Sequence, residues 1–298
     1  MPEVTIVEVG PRDGFQAVPG FIPTDQKIAI IEHLVDSGLS RIEIGSFVSP
    51  TALPQMRDII EVLDVVRGRP HPELSVLVPN RKGAERALAA GVDNLVFVIS
   101  ASEAHNHSNV RRSVAASLEE LRAVLTEIRP TGRFRFNLAT AFHCPFEGAT
   151  PQDQVMRLVE AVLDLAPDAE ICLCDTTGKA VPAEVSALFQ SCFLRFGTRS
   201  WAYHAHDTYG FGSATTMAAY NEGVRTFDAA IAGLGGCPFA PGASGNVATE
   251  DIAYLFERSG FTSGIAFPKL LDAATLAASI EGGQASGRIR HIQAVANF

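Results

Sequence analysis

The sequence predicts an α/β protein, a TIM (β/α)8 barrel with an extra C-terminal helical segment. Three observations predict it. Eight short apolar, β-branched runs alternate with segments of helical spacing, the 298 residues suit one large core, and unusual polar residues gather where the apolar runs end. Alternation implies parallel strands joined by crossovers, and eight such units can close at the ~250 residues typical of a barrel. The expected strands are Val4–Val9, Arg41–Ile44, Leu74–Val78, Asn94–Ile99, Arg133–Leu138, Glu170–Leu173, Ala202–His204 and Thr226–Ile231. The expected helices are Asp25–Ser37, Leu53–Val66, Lys82–Ala90, Ser117–Ile128, Pro151–Leu165, Pro182–Arg195, Gly212–Glu222 and Thr249–Ser259. Thr24-Asp25, Asn80 and Thr150-Pro151 mark helix starts, where a side-chain oxygen can cap free amides. Gly38, Gly91 and Gly223 mark helix ends. An open doubly wound sheet is the main rival, but it usually carries a glycine fingerprint after the first strand. Here Gly10-Pro11-Arg12-Asp13-Gly14 runs into Phe15-Gln16 instead. A final helix over Pro268–Ile280 is expected outside the barrel, with a poorly ordered tail after Gly282. The chain 1–298 therefore reads as one domain, its core over about 3–265 and a helix and tail over 266–298.

Composition narrows the function classes. The net charge of -9 leaves no basic surplus to displace counterions along a phosphate backbone, so a general nucleic-acid binder is not expected. No apolar stretch is long enough to span a membrane. Cys144, Cys172, Cys174, Cys192 and Cys237 are odd in number and lack the C-x-x-C spacing of zinc sites, which points away from a disulfide framework. Reduced thiols and the lack of a signal-peptide pattern fit an acidic enzyme of the cytoplasm.

His204-Ala205-His206 is the most telling motif. Positions i and i+2 of a strand share a face, so two imidazoles at a strand end can converge on one metal ion. Asp13 could add a carboxylate oxygen, and Asn246 an amide oxygen. Two nitrogens and two oxygens with open positions suit an octahedral Mg2+ or Mn2+, with Zn2+ the less favoured ion. Arg12, Glu43 and Asp175 also fall at strand ends, with Ser46 just beyond the second. An acid such as Glu43 or Asp175 on an apolar strand is costly to bury unpaired, so it is paired, metal-linked or catalytic. Cys237 stands in a glycine-dense loop, Gly233 to Gly245, that could close over the barrel mouth and place a thiol as general acid. Taken singly, each keeps a plainer reading: histidines on a polar strand face, Asn246 in a turn, Cys237 as a small buried residue. Cys172 and Cys174 look like that last case.

The run Val7 to Gly14, then Ile42-Glu43 to Pro50, His204 to Gly210, Gly233 to Pro238 and Asn246 to Asp251 resemble the 3-hydroxy-3-methylglutaryl-CoA lyases of the DRE-TIM metallolyases. The resemblance covers nearly the whole chain in order. It implies retro-Claisen cleavage of a 3-hydroxyacyl-CoA, giving acetyl-CoA and, for the usual substrate, acetoacetate. It further implies Asp13, His204, His206 and Asn246 as metal ligands, Arg12 on the thioester carbonyl, and Glu43, Asp175 and Cys237 in proton transfer. Arg12, Gln16, Ser46 and Asn137 would contact the substrate, and a homodimer is implied as well. Three departures stand out. Ala17-Val18-Pro19 replaces the usual Asn-Glu pair after Gln16, Asn137 stands for a tyrosine of the animal enzymes, and Cys172 stands for a serine. A lyase for another 3-substituted 3-hydroxyglutaryl-CoA, a 4-hydroxy-2-oxoacid aldolase or an isopropylmalate synthase of the same barrel group, and a silent binding barrel are the alternatives. The length excludes a synthase's accessory regions, and the intact polar set speaks against the silent barrel.

Overall fold

The computed structural model describes residues 4–236 and 245–292. Its main strands are β1 (Thr5–Glu8), β2 (Arg41–Ser46), β3 (Glu73–Leu77), β4 (Leu95–Ser100), β5 (Phe134–Ala139), β6 (Glu170–Asp175), β7 (Trp201–Ala205) and β8 (Thr226–Ala229). They pair in the order β1-β8-β7-β6-β5-β4-β3-β2, a closed barrel, as the alternation predicts. The α-helices are α1 (Thr24–Asp36), α2 (Ile59–Arg67), α3 (Arg81–Ala89), α4 (Glu103–Val110), α5 (Val114–Ala123), α6 (Gln152–Leu165), α7 (Pro182–Phe196), α8 (Gly212–Asn221), α9 (Thr249–Arg258) and α10 (Phe267–Ala278). By packing, the chain falls into two compact units, residues 1–75 with 227–298, and residues 76–226.

In the first unit β1 and β2 run parallel, with Val7 opposite Arg41 and Glu8 opposite Ile42. Val9 N donates to Ala229 O at 2.9 Å, which fixes the end of β1 to β8. Helix α1 buries Ile30, Ile31 and Leu34 and packs on α10, whose Leu270, Ala273, Ala274 and Ala277 are fully buried. Lys27 is buried but satisfied: its Nζ donates to Asp58 Oδ1 at 2.7 Å and Gln55 O at 2.5 Å, tying α1 to the start of α2.

Several local expectations change here, each for a physical reason. Thr24 lies inside α1 and spends its hydroxyl on Asp58, so it does not cap the helix. The predicted helix Leu53–Val66 begins as a 3-10 turn, Pro54–Met56, before α2. After β1 the backbone makes one wide helical turn, Gly10–Gly14, with the amides of Arg12 and Asp13 both donating to Val9 O. Wide turns of this kind recur at functional sites. The last strand stops at Ala229 rather than Ile231, because Ala230 pairs with Ala248 and Ile231–Gly233 turns sharply, with Ala232 at φ 57°. The segment after Gly282 is held rather than loose as far as it is described. Ser286 N and Gly287 N donate to Ala232 O, and Arg288 N and Ile289 N donate to Asp251.

In the second unit β4 to β7 form an unbroken parallel run with in-register pairing from Leu95↔Phe134 through Asp175↔Ala205. The predicted helix Ser117–Ile128 is the end of a longer helical layer: α4 precedes α5, and α5 continues through a wide turn to Ile128. Asn80 caps α3, accepting from Gly83 N at 2.9 Å. Thr150 does not cap α6, because its hydroxyl donates to Thr140 O at 2.8 Å and Pro151 takes the cap position. Gly91, Gly223 and, in the first unit, Gly38 end helices at positive φ as expected. On the outer face of β7, Phe189 of α7 meets Trp201 and Tyr203 edge-on, at ring separations of 6.5 and 5.9 Å. Edge-to-face pairs add to the burial of large apolar rings. Phe189→Ala is therefore expected to lower unfolding stability by about 3–5 kcal/mol through the cavity it leaves. Urea melts of the two proteins check this, and a loss below about 1 kcal/mol would mean that the site collapses and repacks.

Candidate metal centre and active site

In the first unit, the wide turn after β1 presents Arg12 and Asp13 together. Arg12 is buried, and its guanidinium is neutralised from two sides: Nε donates to Glu43 Oε1 of β2 at 2.6 Å, and Nη1 pairs with Asp13 Oδ1. Burial alone pushes the guanidinium toward the neutral form, but Glu43 and Asp13 reverse this and hold it charged. Asp13 also accepts from Gln16 Nε2 at 2.8 Å and from Asn246 Nδ2 at 2.9 Å. Gln16 therefore spends its amide on orienting Asp13. Ser46 belongs to β2 itself, and its Oγ and Glu43 Oε2 are buried without a hydrogen-bond partner among the described residues.

Asn246 carries the test for a metal. Its amide nitrogen donates to Asp13 Oδ2 and Leu234 O, so its Oδ1 is left buried with no hydrogen-bond partner among the described residues. An acceptor left bare beside a carboxylate is the environment a hard cation fills. Gly235 permits this arrangement, since a Cβ there would lie 2.6 Å from Asn246 Nδ2.

Two further acids were not singled out from the sequence. Glu8 is fully buried and accepts three hydrogen bonds: Gly10 N at 2.7 Å, Ile231 N at 2.8 Å and Thr249 Oγ1 at 2.6 Å. It fastens the turn after β1 to the turn after β8 and to α9. Glu250 accepts from Ala232 N at 3.0 Å and is likewise buried. Desolvation raises Glu8 from 4.5 to about 7 and Glu250 from 4.5 to about 8. A carboxylate within the apolar run Val4–Val9 was the available signal for Glu8, by the same reasoning that marks Glu43.

In the second unit, His204 lies on β7 and His206 just past it, both buried, with ring centroids 5.1 Å apart. The shared strand face brings the imidazoles side by side as the spacing predicts. Asp207 Oδ1 accepts from Gly212 N at 2.8 Å, which fixes the loop leaving the pair. Asp175 ends β6 and accepts from Ala180 N at 3.0 Å and Lys179 N at 3.2 Å. Burial outweighs those bonds and raises its carboxyl from 3.8 to about 6. Asn137 sits on β5, where its Oδ1 accepts from Arg135 Nε at 2.9 Å. Cys237 falls in 237–244, outside the described residues.

Asp13 of the first unit, and His204 and His206 of the second, each offer a ligand atom of the kind that holds a metal ion. Within the first unit Asn246 is hydrogen-bonded to Asp13. Two imidazoles, a carboxylate and an amide oxygen are donors that suit a divalent cation.

The raised acids predict a pH dependence of stability. Between 4.5 and about 7 the folded protein holds a proton on Glu8 that the unfolded chain has released, so stability falls as pH rises through that window. Glu8→Gln keeps an acceptor for Gly10 N and Ile231 N and removes the titration. Its melting temperature is expected to decline less than the parent's over that range, and parallel decline in the two proteins would show that Glu8 does not titrate there.

Comparison with known proteins places the chain in a family. The model of the HMGL-like family matches residues 3–277. A hydroxymethylglutaryl-CoA lyase of Bacillus subtilis is 42% identical over 273 residues, 91% of each chain. An (R)-citramalyl-CoA lyase of Chloroflexus aurantiacus is 39% identical, over 92% of this chain and 90% of that one. A crystal structure of the Bacillus subtilis HMG-CoA lyase superposes with a TM-score of 0.92 at 40% identity, covering 97% of this chain and 98% of the other. A TIM barrel with a conjunction of Arg-Asp, H-x-H and Asn at its strand ends, matched along nearly its whole length, belongs to the HMGL-like family.

Proposed function

We propose that this protein is a divalent-metal-dependent carbon–carbon lyase, which cleaves 3-hydroxy-3-methylglutaryl-CoA to acetyl-CoA and acetoacetate. The observation that carries the reading is Arg12, held charged between Glu43 and Asp13 while Asp13 also meets Asn246. A fixed cation next to a carboxylate and amide of metal-ligand type is what a reaction with a developing enolate requires. The relatives' names support the acyl-CoA substrate.

Asp13, His204, His206 and Asn246 would hold the cation, Mg2+ or Mn2+ in preference to Zn2+, which when bound makes a tertiary hydroxyl easier to ionise. Arg12 faces the charge that appears when the bond between C2 and C3 breaks. The electron pair from the C3 oxygen forms the new ketone, and the C2–C3 pair passes into the thioester as an enolate. Glu43 keeps Nε of Arg12 in place, so the guanidinium meets that enolate without reorganising. Asp175, with a carboxyl near 6, is suited to accept and return a proton close to neutrality. Cys237 would give the proton that converts the enolate to the methyl group of acetyl-CoA. Ser46 and Asn137 would contact the acyl group. In this reading the chain is one domain, and the family resemblance points to a homodimer located in the cytoplasm.

A second reading rests on the similarity to the citramalyl-CoA lyase, whose named substrate carries its carboxylate directly on the carbinol carbon. Assaying both esters separates the two: a 3-oxo acid product supports the first reading, and a 2-oxo acid formed preferentially replaces it by the second. Chelation is expected to abolish turnover, with Mg2+ or Mn2+ restoring it; full activity of metal-free protein would refute the ligand set. Arg12→Gln is expected to lower kcat by roughly 10²–10³-fold with a small change in KM, as for loss of a single oxyanion donor. Unchanged kcat would remove Arg12 from the chemistry.

A further inference from the structure

We propose that Cys172 and Cys174 form a second cation site, a two-thiolate chelate for soft divalent ions of the zinc and cadmium class. The two residues stand two apart on β6, so their side chains share one face. Their Sγ atoms lie 3.9 Å apart, and the pair is not joined by a disulfide. In a tetrahedral zinc site with Zn–S bonds of ~2.3 Å, two sulfurs stand ~3.8 Å apart. The strand therefore presents the thiols at almost the edge length of such a site. Ala202 of β7 lies opposite Cys172 and packs on both cysteines, and its small side chain adds little bulk over the sulfurs.

The neighbours explain what the site would do. Cys174 is paired in register with His204, and Cys172 with Asn137. Imidazole is also a good ligand for soft and borderline cations, whereas thiolate excludes Mg2+ and Mn2+ in practice. A soft cation entering between the thiols displaces both protons to solvent and sits beside His204, ready to draw its imidazole away from the catalytic cation. Hard ions then support activity and soft ions oppose it. This last consequence rests on the lyase reading, but the binding itself does not.

Cadmium is the probe, because its thiolate complexes have an ultraviolet charge-transfer band that nitrogen and oxygen ligands do not produce. With the protein kept in excess Mg2+, one equivalent of Cd2+ is expected to produce the band at an intensity of two thiolates. Cys172→Ser and Cys174→Ser should each weaken Cd2+ binding by roughly tenfold or more, since each removes one arm of a chelate. Cys237→Ser should leave the band intact. Absence of the band, its persistence in both single variants, or its loss in Cys237→Ser alone overturns the site. X-ray absorption at the cadmium edge of the unaltered protein gives the same decision without relying on the variants to fold: two sulfur neighbours support the chelate, and one or none refutes it. Inhibition by Zn2+ in the parent but not in the cysteine variants would extend the site to regulation, whereas sulfur-bound Cd2+ without inhibition would overturn that extension and leave the binding site standing.

Discussion

Charge burial is the constraint on which the proposed catalytic end of this protein depends. Arg12 is withdrawn from water, and an unpaired buried ion costs several kcal/mol. The first unit meets that cost with Glu43 on β2 and Asp13 in the adjacent turn. Asp13 in turn holds Gln16 and Asn246, so one guanidinium sets the positions of four polar side chains from three parts of the chain. This network is thus an arrangement of the proposed site groups that cannot relax independently. Removing any one member leaves a buried charge or acceptor without its partner, which links stability to activity at this end of the barrel.

Glu8 and Glu250 play a different part. They touch backbone amides and a hydroxyl, with Glu8 joining the turns after β1 and β8 and Glu250 holding Ala232 at the second of them. Gly10 is needed here because a Cβ would lie 2.6 Å from Glu8 Oε1. These carboxyls answer the demand of unusual turns for hydrogen-bond acceptors, at the cost of raised proton affinity. The two acids that carry the largest shifts are therefore structural, while Asp175 carries a smaller one at a strand end. A perturbed carboxyl on its own is therefore no mark of a catalytic group in this protein.

The barrel was legible from the alternation of strand and helix segments because that pattern follows from local periodicity. His204 and His206 were legible because the period of two places both on one strand face, Arg12 and Asp13 because polar residues follow a strand end, and Glu43 because a carboxylate on an apolar strand needs a reason. The failed details share a cause. Thr24 and Thr150 have capping chemistry, yet Asp58 and Thr140 O compete for their hydroxyls from distant parts of the chain. Thr226–Ile231 reads as one strand, but Glu8 takes Ile231 N and Ala230 pairs with Ala248. The tail after Gly282, as far as it is described, is held through its backbone by Asp251 and Ala232 O, acceptors far from it in sequence.

By itself the sequence determined the eight strands and their order, the strand ends that carry polar groups, and the family. These depend on residue periodicity and on residue identity at fixed spacing, which are local properties. Only the tertiary structure decided that Gln16 orients Asp13, that Asn246 presents a bare oxygen, and that Cys172 and Cys174 hold their sulfurs 3.9 Å apart. Those facts depend on which groups from distant positions compete for each donor and acceptor, and that competition is settled only when the chain has folded.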